Sequence, residues 1–121
     1  MFREMFLVTG LAKLKEEDAA AVDAMEVLKM ATVNGAHAMG LEEADVLAEG
    51  KLADLIMIDL KTPNMQPLNH IAKNIVYSGS KLNVKMTMIH GRVLYENGKF
   101  LTDESPEDIY RKANDIISEM K

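Results

Sequence analysis

A short, almost wholly apolar run in the middle of the chain sets the strongest constraint on its fold. Residues 52–60 read Leu-Ala-Asp-Leu-Ile-Met-Ile-Asp-Leu, between Gly50-Lys51 and Thr62-Pro63. A run of this length between glycine and proline favours a buried strand over a helix. Because residues 55–58 are apolar on both faces of such a strand, two layers are needed to cover them. The chain has 121 residues and few other strands, so we expect it to supply pieces of two domains.

Helical patterns precede this strand. The first third has apolar residues near helical spacing, at Phe2, Met5, Phe6, Thr9 and Leu14. Asp23 to Glu26 has the spacing of a capping box, and the helix that follows should turn three residues inward, namely Val27, Leu28 and Ala31. Thr32 is expected to cap a further short helix that ends at Gly40.

After the strand the pattern predicts hairpins and a final helix. Residues 71–77 fit either a short helix or a turn into a strand. Residues 84–89 and 93–95 read as strands joined by a tight turn at His90-Gly91, and Asn97-Gly98 is a second turn. Ser105 and Pro106 open the last helix, whose apolar stripe is Ile109, Ala113, Ile116, Ile117 and Met120. Segregated helices and strands predict an α+β arrangement.

Composition excludes several classes of function. The net charge is −5 with no long basic run, which argues against binding to nucleic acid or to an anionic membrane. No apolar run approaches the roughly 20 residues of a membrane span. The chain has no cysteine, which excludes disulfides, thiolate nucleophiles and zinc held by cysteine. We expect a cytoplasmic protein.

Five segments together resemble the C-terminal end of the amidohydrolase superfamily, namely residues 1–5, 26–41, 49–60, 66–68 and 88–95. The strongest signature is a glycine-lysine turn, Gly50-Lys51, that feeds a strand through Ala-Asp-Leu at Asp54; Gly91 lies in the terminal hairpin. The nearest branch is that of the S-adenosylhomocysteine and 5′-methylthioadenosine deaminases. Triazine chlorohydrolases and guanine deaminases are also similar.

The resemblance implies an α+β fragment with three parts. Residues 1–45 would be the last helix of a (β/α)8 barrel and connecting helices, residues 46–104 part of a composite β-sandwich, and residues 105–121 a C-terminal helix. The sandwich of such proteins takes its remaining strands from the N-terminal part of the polypeptide. We therefore expect Gly50, Lys51, Asp54 and Gly91 to be structural residues.

The resemblance also implies which residues are missing. In the family, a His-x-His pair, two later histidines and an aspartate hold a divalent metal, usually zinc, which activates a water molecule. This chain has neither His-x-His nor Glu-x-x-His among His37, His70 and His90. We therefore predict no catalytic residue, no metal ligand and no cofactor bound by this chain. Its substrate-binding residues are unknown.

The remaining polar candidates have structural interpretations. His37 falls in a helix and His90 in a hairpin turn. His70 lies in a proline-rich loop and is the strongest of the three candidates for a functional position, at a pocket rim or interface. Asp54 and Asp59 stand at odd spacing in one strand, so they should point to opposite faces and not form a catalytic pair.

Three functions stay open at this stage. The first is the C-terminal portion of a metal-dependent aminohydrolase acting on an adenosine-like substrate, inactive by itself and completed by the missing N-terminal part. The second is a stand-alone interaction domain that self-associates through its strands, because an unpaired apolar edge invites pairing. The third is part of a chlorohydrolase or another amidohydrolase, since substrate contacts lie mostly on barrel loops.

Overall fold

The computed structural model describes residues 1–120, and in that range the chain has an α+β fold, as predicted. Five helices and four strands follow in the order α1 (Phe2–Glu16), α2 (Ala24–Met30), α3 (Val33–Ala38), β1 (Leu55–Ile58), α4 (Ile71–Lys73), β2 (Val84–Ile89), β3 (Arg92–Glu96), β4 (Lys99–Phe100) and α5 (Pro106–Glu119). Helix α4 continues as a π-helical turn, Asn74–Ser78. Short 3-10 turns occupy Glu42–Ala44, Pro63–Met65 and Lys81–Asn83.

The hydrophobic core lies among the helices and not in the sheet. Its fully or nearly fully buried members come from α1, α2, the Pro63–Met65 turn and the α4 segment, and they are Met5, Ala24, Val27, Met65, Ala72, Ile75 and Val76. Ile58 is the residue of the first strand that packs against this cluster, and Leu60, just after the strand, packs against it too. The helical part therefore has its own small core, and the sheet is attached to its edge.

The four strands form one antiparallel sheet in the order β1-β2-β3-β4. Both predicted hairpin turns are confirmed: His90 and Gly91 have φ of 51° and 73°, and Asn97 and Gly98 have 47° and 87°. Positive φ at both central residues is the mark of type I′ turns, which match the twist of the strands they join. The Tyr95 and Phe100 rings pack at 5.2 Å across the β3-β4 pair.

The prediction of a strand over residues 52–60 that is buried on both sides is wrong for this chain. The strand covers only Leu55–Ile58, and Ile56 and Met57 are 51% and 55% exposed. Among the described residues β1 pairs only with β2, so nothing there covers its second edge. The apolar run is present, but the layers that such a run needs are not.

Helix α1 also has more apolar surface than the chain covers. Met5 and Thr9 are buried and Phe2 is half-buried, but Phe6 and Leu14 of the predicted inner face are exposed. Leu7 and Leu11 are exposed as well. A helix that is apolar around most of its circumference is normally enclosed by a larger protein.

The helix ends follow the sequence signals at three of four places, including the predicted cap of α5, where Ser105 Oγ accepts a hydrogen bond from Asp108 N at 3.1 Å. The Asp23 carboxylate accepts a hydrogen bond from Met25 N at 2.7 Å and caps α2. Gly40, with φ of 70°, ends α3 in a Schellman arrangement, in which Gly40 N donates to His37 O and Leu41 N to Ala36 O. The predicted cap by Thr32 is wrong, because its hydroxyl instead donates back to Leu28 O at 2.8 Å.

The open choice for residues 71–77 is resolved as helix. Asn74 secures the loop before it by donating from Nδ2 to Met65 O at 2.9 Å and to Pro67 O at 3.2 Å. The helix ends at Gly79, where α1 approaches closely: a Cβ there would overlap the Ile75 carbonyl oxygen and lie 2.9 Å from the Phe2 ring. The contact between α1 and this segment therefore requires a glycine.

A fully buried amide joins the helical part to the sheet. Asn83 donates from Nδ2 to Thr62 Oγ1 and Asn64 Oδ1, and its Oδ1 accepts from Ser80 N at 2.8 Å and from Asn64 Nδ2 at 2.9 Å. Its backbone oxygen accepts from Asp59 N at 2.7 Å, directly after β1. The Pro63–Met65 turn, the start of β2 and the end of β1 thus meet at one residue, Asn83.

Replacing Gly79 with alanine should destabilise the chain, because the new methyl group meets backbone that cannot move aside. We expect G79A to lower the free energy of unfolding by about 1–3 kcal/mol. Gly10, within α1, provides a matched control, because no atom lies within 4 Å of the place that a Cβ would occupy there. G10A should raise the free energy of unfolding by about 0.5–1 kcal/mol. Urea unfolding followed by circular dichroism measures both changes, and equal stability of G79A and the parent would contradict the close approach.

Candidate functional site

The densest polar cluster lies where α3 meets the glycine-lysine turn. Asp45 is its centre: His37 Nε2 is 2.9 Å from Asp45 Oδ2, and Lys51 Nζ is 2.9 Å from Asp45 Oδ1. Lys51 also donates to Glu42 O at 2.6 Å, and Leu52 N donates to Glu43 O at 2.7 Å. The predicted motif residue Lys51 therefore fastens the chain entering β1 to the end of α3.

The electrostatics of this cluster favour the ionised carboxylate. The Asp45 side chain is only 13% exposed. The hydrogen bond from His37 and the neighbouring Lys51 ammonium group lower its pKa to about 2, more than partial burial raises it. A carboxylate already flanked by a histidine and an ammonium group is a structural tie and a poor ligand for a cation, since Lys51 already supplies the positive charge beside it.

Asp54 ties the first strand to the first hairpin. Its Oδ1 accepts a hydrogen bond from His90 N at 2.5 Å, and Ala53 O accepts from Gly91 N at 3.1 Å. Gly91 has positive φ in the same turn. Gly50, at φ 82°, makes the turn before Lys51. These contacts agree with a structural assignment for the four motif residues, which remains a prediction.

Asp59, at the other end of β1, is engaged separately. It accepts from Lys61 N at 2.9 Å, and Lys85 Nζ lies 3.3 Å from its second oxygen. The hydrogen bond from Lys61, followed by that from Lys85, lowers its pKa. Asp54 and Asp59 thus have different partners and flank β1 at its two ends, instead of lying within one strand as predicted.

His70 lies at the rim of a shallow depression of about 300 Å³, formed mainly by the loop at residues 66–70 and the first turns after it. Its Nδ1 accepts from Lys73 N at 3.4 Å, so the ring caps α4. His70 thus lies beside this depression, but the ring nitrogen facing the chain serves the helix end.

The residues present do not fit the divalent metal that the family resemblance implies. His37 is hydrogen-bonded to Asp45, the His70 ring caps α4, and His90 occupies a hairpin turn with φ of 51°. In the described range no three histidine, aspartate or glutamate side chains come together in a way that could hold an ion. Zinc in proteins takes three or four such ligands, so no metal-dependent step is assigned to these residues.

The importance of Asp45 and Asn83 was not recognised from sequence. Asp45 contacts residues eight positions before it and six after it, across a glycine turn, and no periodic pattern marks such a contact. Asn83 follows a serine three residues earlier, and Ser80 to Asn83 is a capping-box spacing that could have flagged it.

Within the described residues, no helix combines the length and apolarity needed to cross a bilayer.

Replacing Asp45 with asparagine should produce a pH-dependent loss of stability. A carboxyl group with a depressed native pKa stabilises the fold at pH values above its unfolded pKa, about 3.9, and loses that contribution as pH falls through the native value of about 2. The stability difference between the parent chain and D45N should therefore be constant above about pH 5 and shrink towards pH 2. Thermal unfolding from pH 7 to pH 2 measures this difference.

Asp103 supplies the control for that experiment. It pairs with Arg92 at 3.1 Å but is 91% exposed, and an exposed ion pair contributes little. D103N should leave the unfolding temperature almost unchanged at every pH. An equal effect of both substitutions would show that the Asp45 cluster adds nothing specific.

The sequence model of the Amidohydrolase family matches residues 1–94. A 5-methylthioadenosine/S-adenosylhomocysteine deaminase from Desulfovibrio desulfuricans is 44% identical over 100 residues, which are 83% of this chain and 23% of the relative. A 5′-deoxyadenosine deaminase from Methanobrevibacter smithii is 38% identical across the whole chain and 28% of its own length. The chain thus spans about a quarter of these curated relatives.

Solved structures agree with this relationship. An adenosine deaminase from Xanthomonas campestris with bound zinc superimposes with a TM-score of 0.89 at 30% identity, over 95% of this chain and 26% of its own. A zinc complex of atrazine chlorohydrolase from Arthrobacter aurescens gives 0.86 at 22% identity, over 97% and 26%, which shows the fold alone. On the family match over residues 1–94 and this fold, the chain belongs to the amidohydrolase family.

Proposed function

We propose that this chain is the C-terminal portion of a metal-dependent aminohydrolase that removes an amine from an adenosine-like substrate. S-adenosylhomocysteine and 5′-methylthioadenosine are the substrates we favour, because a deaminase named for these compounds is 44% identical to the chain over 100 residues. The reaction breaks a carbon–nitrogen bond with water and releases ammonia. The likeness to a chlorohydrolase is at 22% identity and concerns the fold, so it does not favour dechlorination.

We propose further that the 121-residue chain is inactive by itself. Two observations support this: the side chains of His37, His70 and Asp45 already make structural contacts, and the chain matches only about a quarter of the length of its relatives. The metal that activates water in the family would have to be held by residues elsewhere in the complete enzyme.

The partner we propose is the remaining, N-terminal part of the enzyme. It would cover the outer side of α1, where Phe6, Leu7 and Leu11 are exposed, and the open edge of β1. A depression of about 540 Å³ between α1 and residues 76–79 adjoins the same side, and its lining is mainly apolar. Burying this surface would remove the excess of exposed apolar groups that the chain now has.

A metal and activity assay tests the first part of the proposal. The purified chain is exposed to excess zinc, desalted, and assayed for metal and for ammonia release from both favoured substrates, with the intact Desulfovibrio desulfuricans deaminase as the positive control. We expect far less than one zinc per chain and no ammonia above the blank. Substrate-dependent ammonia from the homogeneous chain, or close to one retained zinc, would overturn the inactivity.

Reconstitution tests the second part. The chain is co-expressed with the Desulfovibrio deaminase cut before its matched 100 residues, and zinc-dependent ammonia release is expected only when both parts are present. Leu11→Lys, on the exposed side of α1, should abolish reconstitution, whereas Leu47→Lys, an exposed leucine outside α1 and β1, should not. A stable complex that binds zinc but deaminates neither substrate would refute the assigned reaction.

The stand-alone interaction domain is a second candidate, favoured by the uncovered β1 edge. An antiparallel pair of two β1 strands would, however, bring Asp54 of one copy near Asp59 of the other at both ends. Like charges close together across strands are destabilising. We therefore rank self-association through β1 below pairing with the rest of the enzyme.

A further inference from the structure

The C-terminal helix α5 presents an uncovered apolar face that obeys a strict pattern. None of its residues is buried, and Ile116 and Ile117 are 59% and 56% exposed. Spacings of four, three and four residues separate Ile109, Ala113, Ile116 and Met120. This is the alternation of the a and d positions of a heptad repeat, with Ile109 and Ile116 at d and the other two at a.

The remaining residues of α5 agree with the same assignment. The positions that face away from a partner helix are all polar, and they are Glu107, Asp108, Arg111, Asn114, Asp115 and Ser118. The flanking e positions are Tyr110 and Ile117, and the flanking g positions are Lys112 and Glu119. The e side of the a and d stripe is thus apolar, and the g side carries one charge of each sign.

We propose that α5 pairs with α5 of a second copy of this chain as an antiparallel two-helix interface. With the two-fold axis between residues 114 and 115, Ile109 faces Met120 of the other copy and Ala113 faces its Ile116. Each contact occurs twice, giving four apolar layers. The small Ala113 side chain lets the helices approach closely, and Tyr110 packs beside Ile117 of the other copy.

Charge complementarity selects the antiparallel direction. In such a pair, g positions face g positions, so Lys112 of each copy lies opposite Glu119 of the other and two attractive pairs form. A parallel pair sets g against e and places Lys112 opposite Ile117, so neither Lys112 nor Glu119 gains a residue of opposite charge. In the single chain Lys112 contacts Glu104 at 2.6 Å, but both side chains are more than half exposed. Because an exposed ion pair contributes little stability, Lys112 can leave Glu104 for Glu119 of the other copy at little cost in free energy.

The interface is short, so the association should be weak. A 14-residue helix buries less than the roughly 800 Å² per partner of a standard interface, and we expect a dissociation constant on the order of 100 µM. This inference concerns the chain's own assembly and does not depend on the proposed deaminase function.

Sedimentation equilibrium between 20 µM and 1 mM tests the proposal on the full 121-residue chain. The parent should form dimers, and Ile116→Asp should abolish them. Ser118→Asp adds the same charge two residues later on the outward face and should dimerise like the parent. Circular dichroism checks that both variants keep their helix content.

Charge reversal tests the direction and register. K112E and E119K should each weaken dimerisation about tenfold, because each replaces two attractive pairs with two repulsive ones. The double variant should recover parental affinity, and a mixture of the two single variants should form heterodimers in preference to either homodimer. Dimers that lose stability in Ile116→Asp but show no charge rescue would overturn the antiparallel register.

Two further results would overturn the proposal entirely. A chain that stays monomeric at 1 mM would show that the α5 face does not bind a second copy. A dimer that survives Ile116→Asp but is lost in Met57→Lys would place the contact at the β1 edge instead.

Discussion

The enclosure of Met65 by helical segments is the interaction on which the rest of the structure depends. Met65 is fully buried, and Val27 of α2 and Val76 of the π-helical turn, each also buried, belong to the same cluster. These residues lie far apart in sequence, so their burial brings α1, α2 and residues 63–78 together. The sheet contributes Ile58 to this cluster and is otherwise held by hydrogen bonds at Asn83 and Asp45.

The small size of this core explains the character of the surface. A chain of this length buries a limited fraction of its surface in any case, and here several apolar elements are left over after the core is filled. The outer side of α1, the edge of β1 and the face of α5 are each regular, patterned surfaces, whereas isolated exposed apolar residues would follow no pattern. Patterned apolar surface of this kind indicates binding to another element of protein.

Local signals in the sequence predicted most of the elements and few of the contacts. The type I′ turns at His90-Gly91 and Asn97-Gly98, the Gly40 helix end and the Ser105 cap depend on a few adjacent residues, so they could be predicted. The exposure of β1 and of Phe6 could not be predicted, because it depends on what lies beside them in space. Thr32 does not cap α3, because its side chain points back one helical turn and its hydroxyl donates to Leu28 O. The Asp45 cluster joins residues across a turn, and only the fold shows that they meet.

The saturated amide of Asn83 has a consequence for how the molecule comes apart. Because its side chain bonds to Thr62, Asn64 and Ser80 while its backbone oxygen holds Asp59 N, the start of β2 cannot separate from the loop before α4 without leaving buried polar groups unpaired. The helical core and the first two strands should thus open in a single cooperative event, with similar amide hydrogen exchange rates in both. Helix α5 lies outside this unit, so its amides should exchange through independent fraying long before the rest of the chain opens.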